Sequence, residues 1–533
     1  MLRRLPRWMS NRRIIRRCLY GLACFASLIL LFYAEEDWRG RRDWENYKRV
    51  WEAKGERFDF ASFVPSPVPD DQNFALTPIV ASTYSAFLDP QGHRINPPNT
   101  NVVNRLDFTL DIPSVVPGAT DDFEGNWQVG MKADLNSFQS YYRAPKTTDD
   151  FPKAPEPQTP AADVLLALSK DDAAIEELRQ ATHLPHSRLP FYYDANLFRT
   201  TQFPDLSSLS QCALLLRIRA VAELENGQNE KALDDIKLIL YLANSFRDQP
   251  FLTSYLISYV NLALQPLWEG LAGRKWSDSQ LAFFEQELAQ FDLLSIYQFD
   301  VRIRRARAIE EIDYMERWRG FNKVCAAFLS DPVEGEFDAG SGRGLEATVL
   351  YLMPKGWFYQ NNLAIAQTVQ QSLRTEDEAG HGVFPVEIAE RYQKALSFTI
   401  QHLPPLNPFT ILLYKSSTRL MQNYAFAQAS LDLARVACAL ERFRLAHGDY
   451  PATLGLLSPQ LIEKLPPDLI DGQPLRYRCT DGGQFLLYSV GWNGTDDGGR
   501  PVRKQSSWDS GLDLEKGDWV WPCRSWVHPI SKP

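Results

Sequence analysis

Recognisable catalytic signatures are missing from this 533-residue chain. It contains no HExxH, GxSxG, CxxC, Walker A or GxGxxG string, so the commonest metalloprotease, esterase, redox and nucleotide-binding chemistries have no local support. Cysteine is scarce, at seven residues, too few for a disulfide scaffold. The seven histidines are scattered, and only His183 and His186 are close. Pro185 between them prevents a helix, and no neighbouring ligands complete a zinc set. No tandem 34-residue period is present, which excludes a regular helical-repeat array. Past Ala34 no window reaches 18 uninterrupted apolar residues, so one membrane span is the maximum. Basic charge is also short: 57 Lys+Arg stand against 66 Asp+Glu. The first 17 residues hold seven arginines and no acid, which leaves the body at 50 against 66, or −16. A body so acidic argues against a nucleic-acid partner.

What is present begins with Cys18–Ala34 (CLYGLACFASLILLFYA), 17 residues without a charge. At 1.5 Å per residue they reach about 26 Å, slightly under a hydrocarbon core of about 30 Å. Ile14 and Ile15 extend the span if Arg16 and Arg17 snorkel to the head groups. Arginines precede the run and Glu35, Glu36 and Asp37 follow it. The positive-inside rule then keeps residues 1–17 in the cytoplasm and sends the body across. Cleavage after Ala34 would place Phe32 at −3, a poor signal-peptidase site, so an uncleaved anchor through residues 18–34 is the preferred reading. Residues 38–58 read as a short juxtamembrane helix, with Trp38, Trp44 and Tyr47 suited to the interface.

Residues 35–160 combine that helix with a proline-rich stretch in which long helices are excluded. Within it Leu106, Phe108, Leu110 and Ile112 alternate with polar residues as a half-buried strand does. Trp127, Val129 and Met131 are its expected pairing partner. Pro145–Pro160 reads as a linker. Residues 161–416 are helical in pattern. Ser169, three residues before Asp172, looks like a capping-box start. Asn226-Gly227-Gln228 separates two helices in a hairpin over 210–245 that resembles a tetratricopeptide unit. Ser277 with Gln280 forms a second capping box, with Trp276 and Leu281 as a hydrophobic staple. A charged helix covers 300–318, with Arg307–Glu311 and Asp313–Arg317 at i,i+4. More helix is expected at 345–375 and 386–402.

Residues 417–533 form the last module. A helix runs over 417–447 to Gly448, and a hairpin follows: Leu475–Cys479, a turn at Asp481-Gly482-Gly483, and Phe485–Val490. The order of alanine-rich helix, HGDYP, a Pro-x-Asp step, DGQPLRYR, LLYSVG and DDGG resembles the globular part of the major pseudopilin of type II secretion systems, over roughly residues 418–520. That resemblance implies a Ca²⁺ site in the loop after the last hairpin strand. Carried over by position, Asn493 stands where the family has its first loop aspartate, Asp496 and Asp497 fall in the loop, and Asp513 or Asp518 completes the set. Calcium takes six to eight oxygens, and the glycines here free backbone carbonyls to turn inward. The arginine-rich N-terminus lacks the prepilin signal, so polymerisation is not implied. The segments WENYKRVWEAKGERFDFASFVPSPVPDDQNFA, LQPLWEGLAGRKWSDSQLAFFEQELA and PKGWFYQNNLAIAQ resemble those of large single-span bacterial proteins of unknown function, which implies architecture and no activity.

The fold expected is therefore mainly α: an N-terminal transmembrane helix, an irregular α-solenoid with tetratricopeptide-like hairpins, and a small α+β pseudopilin-like C-terminal module. The location expected is the bacterial inner membrane, single-pass, with a periplasmic body. In that oxidising compartment Cys479 and Cys523 are candidates for a disulfide. The function expected is an interaction scaffold for an unidentified protein partner, in an envelope or secretion context. No catalytic residue is assigned. The alternative is a periplasmic hydrolase whose groove carries acids such as Glu310 and Glu311 with perturbed pKa values.

Overall fold

A computed structural model describes residues 12–84, 87–88, 94–95, 104–106, 108, 123–144, 151–190, 206–317, 352–373, 384–402, 417–480, 483–504 and 511–522. Thirteen helices are described: α1 (Arg12–Glu52), α2 (Pro78–Ala81), α3 (Leu135–Arg143), α4 (Pro160–Leu168), α5 (Asp172–Ala181), α6 (Ser207–Glu225), α7 (Asn229–Asn244), α8 (Thr253–Ala272), α9 (Asp278–Leu288), α10 (Leu293–Arg317), α11 (Lys355–Gln370), α12 (Pro385–His402) and α13 (Ser417–His447). The strands are β1 (Phe87–Leu88), β2 (Arg94–Ile95), β3 (Arg476–Thr480), β4 (Gln484–Ser489), β5 (Pro501–Arg503), β6 (Leu512–Gly517) and β7 (Trp519–Trp521). The chain is thus mainly helical. It divides into two compact units built from discontinuous stretches: residues 1–62, 302–372 and 391–415 in the first, the remainder in the second.

The first unit is organised by α1. The expected span and the expected juxtamembrane helix are one helix of 41 residues, about 61 Å long at 1.5 Å per residue. Nothing between Ala34 and Glu52 stops it, because neither proline nor a left-handed glycine intervenes. From Glu36 onward one stripe (Glu36, Gly40, Trp44, Tyr47, Trp51) turns inward at three- and four-residue spacing and packs on α11. Trp44 and Tyr47 therefore do not line the interface. Trp44 is 5% exposed and meets Phe58 edge-on at 5.5 Å. The apolar area these rings bury outweighs any interfacial preference. Trp38, at 61% exposure, stays outside.

The second unit holds the helical hairpins. α6 and α7 flank Asn226-Gly227-Gln228, with Gly227 at φ +75°, a conformation that suits glycine. Ala220, Leu224, Ala232, Leu233 and Ile236 are buried along the hairpin. α8 packs on both helices, and α4 packs on α6. The capping box at α9 is formed by Ser277 and Gln280, while Trp276 meets Phe284 at 5.0 Å. Ser169 does not cap the start of an α-helix; it begins a short 3₁₀ turn, Ser169–Asp171. Its hydroxyl donates to the Leu166 carbonyl at 2.7 Å and closes α4, and Asp171 precedes α5. Pro160 is the first residue of α4, capped by Thr159, so the linker ends as a helix start. Trp127–Val129 is a 3₁₀ turn and not a strand, closed by an Asn126–Met131 bridge. The strand expected at 106–112 lies largely outside the described residues, although Leu106 and Phe108 are buried.

α13 packs along α9 and α8 and also carries the C-terminal strands. β3 and β4 form the expected antiparallel hairpin, and β7 adds to β4 with Leu487 opposite Trp521. β5 pairs with β6 beside them. Ala425, Phe426 and Ala429 of α13 form a core with Val490, Leu512 and Trp519. The small alanines let the helix approach the sheet closely.

Candidate functional site

Three places carry chemistry, and each follows from local sequence. The first is α1. Its apolar window is wholly unburied by the rest of the protein. Leu19, Leu22, Phe25, Leu28, Leu30 and Leu31 are all exposed. A stripe of this size on a soluble surface would drive association, whereas a lipid solvent satisfies it. Where the window ends, α11 begins. The Tyr33 hydroxyl donates to the Leu352 carbonyl, and the Gly356 amide donates to Asp37 Oδ1 at 2.8 Å. Glu36 accepts from Arg39 at 2.7 Å and from Trp357 Nε1 at 3.0 Å. Two glycines make the approach possible. A Cβ on Gly356 would lie 1.9 Å from the Glu36 carbonyl oxygen, and one on Gly40 would lie 2.2 Å from the Gly356 oxygen.

The second is the acidic part of α10. Arg302 and Arg305 converge on Glu56, at 2.9 and 2.6 Å. Arg305 is fully buried, bonds the Arg57 carbonyl and Gln370, and stacks over Phe58 at 4.4 Å. Burial pushes the Glu56 carboxyl up, but the two guanidiniums more than offset it and hold it below its usual value. Glu310, Glu311 and Asp313 behave oppositely. Burial raises all three, only partly countered by Arg307 at the two glutamates and by Asn362 at Asp313. Glu311 accepts from Arg307 Nε at 3.1 Å, the expected i,i+4 pair. Arg317 bonds the Asp313 backbone carbonyl at 3.2 Å, while the Asp313 carboxylate takes Asn362 at 2.7 Å.

The third is the C-terminal loop. Asn493 Oδ1 accepts the Thr495 amide at 3.0 Å and its Nδ2 donates to Asp497 Oδ2 at 3.1 Å. Asp496 accepts from the Gly498 amide and from the Tyr488 hydroxyl, each at 2.9 Å; these bonds hold its carboxyl below the usual range. Asp513 accepts the Glu515 amide at 3.1 Å and pairs with Lys516 at 3.4 Å. Asp518 is fully buried and accepts three amides: Asp497 at 3.2 Å, Gly499 at 2.6 Å and Arg500 at 3.1 Å. The five candidate ligands share one loop region, and each is engaged by protein donors. Among the described residues, no three His, Cys, Asp or Glu side chains form a group that could hold a metal ion. Asp518 gathers the loop by accepting N–H groups, which occupy the carboxylate oxygens that a cation would need.

Sequence reasoning passed over a matching carboxylate. Asp468, fully buried, accepts from the Ile470 and Val490 amides at 3.0 and 2.9 Å and from the Ser489 hydroxyl at 2.7 Å. Arg476 reaches it at 3.3 Å. Its signal was the Pro-x-Asp step before DGQPLRYR, whose arginine is this partner. Asp468 fixes the entry to the hairpin and Asp518 the exit. Trp519 and Trp521 are buried, and Trp492 stacks on Trp519 at 6.5 Å, so these late tryptophans are packing residues. Cys479 is exposed on β3, and Cys523 lies outside the described residues.

No protein-family model, no curated protein and no solved structure matches the chain.

Proposed function

We propose that this is a single-span membrane-anchored protein whose folded body is an interaction scaffold. The observation that carries the reading is α1: 41 residues in one helix, its apolar part unburied and its polar continuation packed into the first unit. Arginines before the span and acids after it favour a cytoplasmic N-terminus and a body on the far side, the periplasm of a bacterial inner membrane. The hairpins α6–α8 then form a short solenoid-like surface for a protein partner. The C-terminal module, similar in element order to a pseudopilin globular domain, supplies a second surface in an envelope or secretion context. Alkaline extraction of membranes is the first test. The full chain is expected to stay with the lipid pellet, and release into the supernatant refutes the anchor. Cross-linking from solubilised membranes tests the scaffold. Recovery of one protein in fixed proportion supports it, and recovery of none counts against it.

A calcium ion on the 493–518 loop is a separate proposal, supported by loop composition alone. It requires Asp496, Asp497 and Asp518 to exchange their present donors for the ion. Calorimetric titration of the full chain with Ca²⁺ tests it, and absence of heat removes it.

A hydrolase is the second reading, favoured by the raised carboxyls of Glu310, Glu311 and Asp313 within one turn of one helix. It predicts that Glu311→Gln abolishes turnover of any hydrolysable substrate found while leaving Tm within a few degrees.

A further inference from the structure

The first unit offers a surface that the anchor alone does not explain. α11 runs alongside α1 in the same direction. Gly356, near its start, meets Glu36 and Gly40, while Leu363 and Ala366 lie with Trp44, Tyr47 and Trp51. The start of α11 is therefore level with the end of the apolar window. Leu352 sits there, one hydrogen bond from Tyr33, and is 57% exposed. Trp38 is exposed one turn further along α1, with Arg42 over its ring at 5.0 Å. Trp357 is half-buried, its indole N–H turned to Glu36. An exposed leucine, a half-buried tyrosine and an exposed tryptophan within about two turns, beside an uncovered apolar helix, match the interfacial belt of a membrane protein.

We propose that the first unit rests directly on the bilayer, with Leu352 and Trp38 entering the boundary between head groups and acyl chains. This rests on the membrane reading of α1 and adds a second point of contact to it. The charges at this height are mixed. Glu35, Glu36, Asp37, Asp43 and Glu316 stand near Arg39, Arg41, Arg42 and Lys355 in sequence or by pairing; Glu36 pairs with Arg39, and Lys355 with Glu316 at 3.0 Å. The seat is therefore apolar and aromatic, and anionic lipid is not required. Val50 provides an internal reference. It is 55% exposed on the same helix, 17 residues beyond Tyr33, or about 26 Å along the axis.

The test uses the full chain in phosphatidylcholine nanodiscs, with p-benzoylphenylalanine placed singly at positions 28, 352 and 50. Irradiation joins the probe to any C–H group it touches, and intact-mass measurement counts lipid adducts. Positions 28 and 352 are expected to give adducts in comparable yield, with position 50 at least tenfold lower. An adduct at 28 with position 352 as low as 50 overturns the seat and leaves the span standing. No adduct at 28 overturns the span, and the seat with it. Replacing a third of the lipid with phosphatidylglycerol is expected to leave the yield at 352 unchanged. A severalfold rise would show a charge-driven contact and overturn the apolar basis.

Discussion

Two carboxylate sites in this chain, one half-buried and one buried, take opposite electrostatic courses. In the first unit Glu56 pairs with both Arg302 and Arg305 and is held below its usual pKa. In the second, Glu223 and Asp235 are both about 1% exposed and share Arg219, at 3.6 and 3.0 Å, with Arg179 also on Asp235 at 2.8 Å. There burial, then the repulsion of Asp235, pushes Glu223 up to about 8. Burial raises a carboxyl in both places. The ratio of guanidinium to carboxylate within reach decides which way the balance falls.

The comparison is broken most severely by Arg305→Met. It leaves the half-buried Glu56 with half its counter-charge and removes the stacking on Phe58, so a loss of about 3–5 kcal/mol is expected in denaturant unfolding of the detergent-solubilised chain. A loss under ~1 kcal/mol would mean that Arg302 alone suffices.

The two sites also have opposite pH slopes. Glu56, lowered in the fold, contributes stability above its ordinary value of 4.5 that disappears as pH falls through the folded value. Glu223, raised, contributes stability that is complete below 4.5 and is lost as pH rises towards about 8. Glu223→Gln is expected to flatten the decline in Tm between pH 5 and 8, by several degrees, without lowering Tm at pH 8. An unchanged slope would move the titration to Asp235.

Asp518 asks whether backbone amides do the work that guanidiniums do at Glu56. Asp518→Asn turns an N–H donor towards amides that need an acceptor, and a cost of about 1–3 kcal/mol is expected. The smallest effect concerns the ion. If amides already hold the loop, millimolar Ca²⁺ shifts the Tm of the wild-type chain by less than about 1 °C, and a rise of several degrees would restore calcium as the organiser.

What was legible in the residues was local. Gly227 between two apolar-periodic runs and the Ser277–Gln280 box each encode their geometry within a few positions, and the α6–α7 hairpin and α9 follow; the runs Leu475–Cys479 and Phe485–Val490 likewise read as the paired strands β3 and β4. Ser169 misled because a serine hydroxyl closes a helix through its i−3 carbonyl as readily as it opens one. Trp127 and Val129 alternate as a strand would, yet the Asn126 side chain takes the Gln128 amide and curls the segment. The loop acids were visible as composition, but their partners were not. Asp518 reaches back 18 to 21 positions to amides that carry no side-chain signature. The Gly40–Gly356 contact joins residues more than 300 apart and is invisible to any short pattern.

That contact has a mechanical corollary. On the proposed membrane reading, a helix that leaves the lipid and enters a folded unit without a break, and is clamped there backbone to backbone, behaves as a stiff lever with no hinge. Tilting it by ~10° would swing the far end of its roughly 61 Å by about 10 Å. Thinning or thickening of the surrounding lipid, which sets such tilts, would then reach the first unit as a rotation.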